Sequence, residues 1–187
     1  LKATISLVIL QYLGQEKLGI FSMALMLQGF IMVFSRSLNQ IITTKLTLKY
    51  GSNDSLKQTF KYVIKPVLLV SGLALIFVLI FNYSIKPAIE IFLPKYSASV
   101  VVLQILAFEI VLALIRSPFT LFVASLMYKE MITIRILKVI LTFVALFIFH
   151  ESLKQIALVI IFANLLNVIA GYVLLYYKIN YSQQNLA

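Results

Sequence analysis

Read by hydropathy, the chain is a series of long apolar runs separated by short polar breaks. A helix needs about 20 mostly apolar residues, rising 1.5 Å each, to cross about 30 Å of hydrocarbon. Residues 3–13 are apolar but too few, and read as the end of a span cut short at its start. Gly14, Gln15, Glu16 and Lys17 predict a polar turn, and a second run, 18–42, is free of charge up to Arg36. Four more runs follow at 66–85, 97–127, 131–149 and 156–177. Pro118 lies inside the longest and predicts a kink, because proline removes a helix N–H and its ring crowds the preceding turn. The pattern gives an all-α integral membrane protein, a bundle of six transmembrane helices with the first one truncated.

The polar breaks carry a second layer of information. Residues 43–65 hold Lys45, Lys49, Lys57, Lys61 and Lys65, and Gly51-Ser52-Asn53-Asp54 supplies a break and a helix N-cap signal. Lys57, Lys61 and Lys65 recur at i, i+4 and i+8, beside Leu56, Phe60 and Ile64. This reads as a basic cytoplasmic loop with an amphipathic helix lying on the headgroups. Residues 88–96, interrupted by Pro94, read as an interfacial turn. Alternating the breaks across the membrane puts Lys45, Lys49, Lys57, Lys61, Lys65, Lys129, Arg135 and Lys178 on one side, against Lys17, Lys86, Lys95 and Lys154 on the other. The richer side is expected to be cytoplasmic. Tyr12, Tyr62, Tyr83, Tyr96, Tyr128, Tyr176 and Tyr177 fall near span ends, where an amphipathic ring is most comfortable.

Composition agrees. Of 187 residues, 62% are hydrophobic and 12% charged, against about 25% charged in soluble domains. A core of this size cannot hide that much apolar surface, which excludes a soluble enzyme or a nucleic-acid-binding domain. The formal charge of +10 then reads as loop lysine facing anionic membrane lipids, with no nucleic acid as partner. The chain opens on Leu1 within an apolar stretch, without a basic n-region or a small-residue cleavage site. It therefore reads as one piece of a longer protein rather than as starting with a signal peptide.

Charges inside spans cost about 2.5–3.5 kcal/mol at mid-helix on insertion scales, and usually face a cavity or a partner. Glu109 and Arg116 lie seven residues apart in the fourth run, two turns or about 10.5 Å along a helix. Gln28, Ser35 and Asn39 share a face of the second helix, with Arg36 at its edge; Ala157, Asn164, Asn167 and Gly171 do so on the sixth. Lys138 and Thr142 extend the pattern to the fifth. Four polar stripes predict a hydrated cavity in which Arg36, Arg116 and Lys138 bind an anion such as a phosphate or diphosphate, Arg through its bidentate fork. Glu109 is the candidate for ion coupling or proton relay, with Gln28, Asn39, Asn164 and Asn167 completing the stripes. The competing reading makes Glu109 and Arg116 mutual neutralisers, and Asn164 and Asn167 interhelical hydrogen bonds. With no Cys, one Asp and one His, the chain cannot build a paired-carboxylate, His-Asp or thiolate metal site, so neither catalysis nor a cofactor or bound metal is expected.

Two motifs carry a family resemblance. Tyr12-Leu13-Gly14-Gln15-Glu16-Lys17-Leu18-Gly19-Ile20-Phe21 resembles the short "LG…LG" hairpin between the first two helices of a half in Wzx-type oligosaccharide flippases. Phe92-Leu93-Pro94-Lys95-Tyr96-Ser97-Ala98-Ser99, followed by Leu103-Gln104-Ile105-Leu106, resembles the approach to the fourth helix of their second half. The proline that often ends the second helix in that family is absent from Ile41-Ile42-Thr43-Thr44. These flippases belong to the MOP superfamily with the MATE drug exporters. The resemblance, running from about Ile5 to Lys178, implies the C-terminal half of a two-bundle transporter in a bacterial inner membrane. Its partners would be the N-terminal half and a polyprenyl-diphosphate-linked oligosaccharide, moved between leaflets by alternating access and usually coupled to a cation gradient. A MATE-like exporter of cationic drugs is the nearest alternative, and would favour an acidic cavity. A membrane-embedded glycosyl- or acyltransferase and a purely structural subunit stand further off.

Overall fold

The computed structural model of the chain describes residues 2–51 and 55–184; Ser52, Asn53 and Asp54, the polar part of the expected N-cap signal, and Leu1, on which the reading of the chain start rests, lie outside them. The described residues are helical with no strand: α1 (Lys2–Gly51), α2 (Leu56–Phe92), α3 (Ser99–Ala107), α4 (Glu109–Ile115), α5 (Thr120–Ala124), α6 (Tyr128–Ile148) and α7 (Leu153–Gln184). Four of these are long and apolar enough to cross a membrane, and α3–α4 and α5 reach that length and apolarity only together, as a pair bent by 45°. The chain is an all-helical, multi-pass membrane bundle.

α1 is two arms joined at Gly14, whose φ of 83° and ψ of 176° lie where a side chain is disfavoured. One such residue is enough to fold residues 2–13 against residues 15–51, so that Ile5 and Ile9 pack with Phe21 and Ala24. The expected four-residue turn is thus a single glycine, and Gln15, Glu16 and Lys17 already belong to the second arm.

The basic segment 43–65 is helical on both sides of its break, and the helix after it leads through Pro66 as expected. α1 continues to Gly51, and α2 is helical from Leu56 without interruption through Pro66 and Pro87. Ser55 starts α2 with a capping box: its Oγ accepts from the Gln58 N–H, and its own N–H donates to the Gln58 side chain. The buried positions of α2 (Leu56, Thr59, Val63, Val67, Ser71, Ala74 and Val78) form one stripe at spacings of three and four. That stripe crosses Pro66 unbroken and seats Leu56 and Val63 against Leu46 of α1 and Leu175 of α7. At its other end α2 outruns the expected stop at Lys86-Pro87 and reaches Phe92, with Lys86 and Glu90 paired across one turn at 4.0 Å.

The fourth run breaks where Pro118 predicts. Around it the backbone tightens to a 3-10 turn, Ser117–Phe119, and the Phe119 N–H bonds the Arg116 carbonyl at 2.9 Å. The Ile115 carbonyl, deprived of its helical partner, accepts the Tyr172 hydroxyl of α7 at 2.8 Å. A second irregularity, absent from the sequence expectation, lies at Phe108, whose N–H bonds Ile105 three residues back and tightens the turn just before Glu109. After α5 the chain turns through Leu126 at φ 56°, with Met127 N–H bonded to the Phe122 carbonyl and Leu126 N–H to Val123. This is a Schellman closure with leucine in the place glycine prefers.

The bundle is inside-out relative to a soluble one. Leu69, Leu73 and Ile80 of α2, Ile136 and Phe147 of α6, and Phe162 and Val173 of α7 are exposed, whereas Gln28, Ser35, Ser71, Thr142, Asn164 and Asn167 are buried. The ends group as the loop alternation expects. Leu13 and Lys17 share a surface hollow with Glu151 and Lys154, and Tyr12 stacks on His150; at the other end Lys178 pairs with Glu130 at 2.6 Å.

Candidate transport cavity

The polar stripes of four helices meet around one hydrogen-bonded chain. Gln28 of α1 donates through Nε2 to Glu109 Oε2 at 2.6 Å and to the Leu106 carbonyl at 3.2 Å. Asn164 of α7 faces both charges of the fourth run. Its Nδ2 approaches Glu109 Oε1 at 3.5 Å, and its Oδ1 accepts from Arg116 Nη1 at 2.9 Å. An amide suits this place because it presents a donor to the carboxylate and an acceptor to the guanidinium. Glu109 and Arg116, two turns apart on the fourth run, are bridged across their separation by a neighbouring helix.

Two cavities open on this chain. One, of about 210 Å³, is lined by Gln28, Glu109, Lys138, Thr142 and Asn164 over an apolar floor that includes Phe21. The other, of about 320 Å³, is lined by Arg116, Thr120, Arg135, Lys138 and Asn167, with Phe119 and Phe122 on its apolar wall. Lys138 borders both. The first cavity holds the carboxylate and one cation; the second has three cations and no acid among its lining residues. It offers two planar guanidinium forks and one ammonium to an anion.

The structure therefore brings together Gln28, Glu109, Arg116, Lys138 and Asn164 from α1, α4, α6 and α7. Asn167 lines the second cavity while donating to the Ile134 carbonyl at 3.0 Å, and Asn39 donates to the Ala113 carbonyl at 3.2 Å, tying α1 to α4. Arg36 stands apart from these residues. It lines neither cavity and is exposed on the outer side of α1. Ser35 and Asn39 fall within about 20° of Gln28 around the helix, but Arg36 is about 80° away, too far to share their face. It lies instead in line with exposed Ser22, Gln40 and Thr47, a polar stripe that the bundle leaves uncovered.

Arg135 is the residue that sequence reasoning missed as a cavity side chain, having been assigned to a loop end. Its signal was present: Arg135, Lys138 and Thr142 stand at i, i+3 and i+7, one face of α6. Phe119 was also missed, since only the bend at Pro118 turns it toward α7. There its ring packs on Tyr172, and a Cβ placed on Gly171 would come within 2.2 Å of it. Among the described residues no three His, Asp or Glu side chains gather as they would around a metal ion. No known protein family, no curated protein and no solved structure matches the chain.

Proposed function

We propose that this bundle is one half of a transporter that moves a polyprenyl-diphosphate-linked oligosaccharide between the leaflets of a bacterial inner membrane. The observation that carries the reading is the three-cation cavity of Arg116, Arg135 and Lys138, set inside a bundle whose outer faces are apolar. Half-buried Arg116 and Lys138 with exposed Arg135, and no acid beside them, suit a diphosphate, whose oxygens accept several charge-assisted bonds at once. A drug exporter for cations would need the reverse balance, and Glu109 is the one acid lining either cavity. The two motifs described above resemble the C-terminal half of the flippases.

Arg36 supports the two-bundle plan by its exposure. An arginine facing lipid at that depth would cost about 2.5–3.5 kcal/mol on insertion scales. A second bundle covering the Ser22–Arg36–Gln40–Thr47 line would remove this cost and place Arg36 between the two halves. In this reading Glu109 is the coupling carboxylate: its charge competes with a bound anion for the cations, so its neutralisation and substrate binding are linked. The side carrying Lys45 to Lys65 faces the cytoplasm.

The test is leaflet translocation of an undecaprenyl-diphosphate sugar by the full-length protein in proteoliposomes. Arg116→Ala and Lys138→Ala are expected to lower the rate at least tenfold while leaving the helical content unchanged. Full activity in both variants would refute the cationic cavity as the headgroup site.

A further inference from the structure

Away from the cavity, the paired ends of α1 and α2 form a lysine-rich segment. Residues 43–65 include five lysines against one acid, Asp54, which lies outside the described residues. A surface hollow of about 350 Å³ opens here between the two helices, lined by Lys45, Leu48, Lys49 and Tyr62. The Lys49 ammonium stands 5.5 Å from the centre of the Tyr62 ring, a cation–π contact that ties one wall to the other. Leu48 and Tyr62 are 71% and 57% exposed, so the hollow has an apolar rim as well as a basic one.

Its depth follows from α2. The charge-free stretch 66–85 is twenty residues, about 30 Å, one hydrocarbon thickness. Lys65 therefore marks one edge of the hydrocarbon, and Tyr62, three residues beyond it, sits about 5 Å further out, within the headgroup layer. Lys49 is at the same level because it meets Tyr62. The floor is fixed, since Leu46, Leu56 and Val63 are buried against Leu175 and Ile179 directly behind it. A preformed basic hollow at headgroup depth, with an exposed leucine toward the acyl region, matches one occupant by both charge and position.

We propose that this hollow is a binding site for an acidic phospholipid, with the phosphodiester held between Lys45 and Lys49, the headgroup against Tyr62, and an acyl chain running down past Leu48 and Ile41. Lys61 and Lys65, on either side of Tyr62 along α2, add to the local field. Annular phosphatidylcholine carries the same phosphate but cancels it with its own ammonium, so the site selects net negative lipid. Such a lipid seats the α1–α2 end on one leaflet while the cavity residues remain untouched.

The experiment is native mass spectrometry and thermal melting of the full-length protein in detergent, with added phosphatidylglycerol or phosphatidylcholine. Phosphatidylglycerol should be retained and should raise the melting temperature; phosphatidylcholine should do neither. Each lysine near an anionic headgroup is worth about fivefold in binding, so Lys45→Gln with Lys49→Gln should weaken phosphatidylglycerol binding about thirtyfold. Lys86→Gln with Lys95→Gln, at the other end of the bundle, should leave it within about twofold. Soluble glycerol phosphate should not compete at millimolar concentration, because it lacks the chain that lies along Leu48. Equal retention of the two lipids, equal losses from the two lysine pairs, or competition by glycerol phosphate would each overturn the proposal. Lys45, Lys86 and Lys95 are exposed, whereas Lys49 is half-buried against Tyr62, so each variant's lipid-induced shift is read against its own unaided melting temperature.

Discussion

Replacing Asn164 by leucine separates the two parts of its contact. Leucine keeps the branching of this buried side chain but removes both the acceptor for Arg116 and the donor toward Glu109. The Arg116 bond, at 2.9 Å to a charged donor, is of the class worth about 1.5–3 kcal/mol. The Glu109 contact, at 3.5 Å, lies at the limit of a hydrogen bond and adds little. The expected loss is therefore about 2–3 kcal/mol. Asn167→Leu is the natural comparison: it removes a neutral bond to the Ile134 carbonyl, and neutral interhelical bonds in membranes average about 0.6 kcal/mol. With no tryptophan in the sequence, unfolding is best followed by circular dichroism during titration of SDS into detergent micelles. In an Arg116→Met background the Asn164→Leu loss should shrink by at least about 1.5 kcal/mol, because the charged partner is gone. Equal losses for Asn164→Leu and Asn167→Leu, or an unchanged loss in the Arg116→Met background, would refute the bridge.

Four further outcomes follow from the backbone. Tyr172→Phe leaves the Ile115 carbonyl without its partner at the Pro118 bend and should cost about 1–2 kcal/mol in the same titration, with the aromatic packing on Phe119 retained. Gly171→Ala forces a methyl group to within 2.2–2.8 Å of the Phe119 ring, which Phe122 and Tyr172 hold in place; a loss of about 1–3 kcal/mol is expected, relieved in the double variant with Phe119→Leu. Leu126→Gly should stabilise by about 0.5 kcal/mol, since a left-handed leucine costs more than the added freedom of glycine in the unfolded chain, whereas Gly14→Ala at φ 83° should destabilise by about 1–2 kcal/mol despite open space around its Cβ.

Much of this architecture was legible in hydropathy because lipid demands an unmistakable signal from every span. The runs at 131–149 and 156–177 lie within α6 and α7 but for Phe149, which follows the last residue of α6, and Pro118 marks the bend. Helix ends were less legible. Polar residues at 43–51 read as loop, yet they are helical because one face, with that of the amphipathic helix after the break, finds Leu175 and Ile179 of α7, a contact between residues more than a hundred positions apart. Spacing alone placed Glu109, Arg116, Asn164 and Lys138 correctly, since their helices each bury one polar stripe. It did not separate Arg36 from the cavity-lining residues, since one position of rotation moves a side chain 100°. It also passed over Arg135, which is exposed near a span end yet lines the second cavity beside Lys138.

The central claim is that the Arg116–Arg135–Lys138 cavity holds a diphosphate. Isothermal titration of the full-length protein in nanodiscs with farnesyl diphosphate, and in parallel with farnesol, tests it most directly. The account predicts binding of the diphosphate alone, weakened at least tenfold by Arg116→Ala and by Lys138→Ala. Equal binding of farnesol, or diphosphate binding untouched by both substitutions, would contradict it.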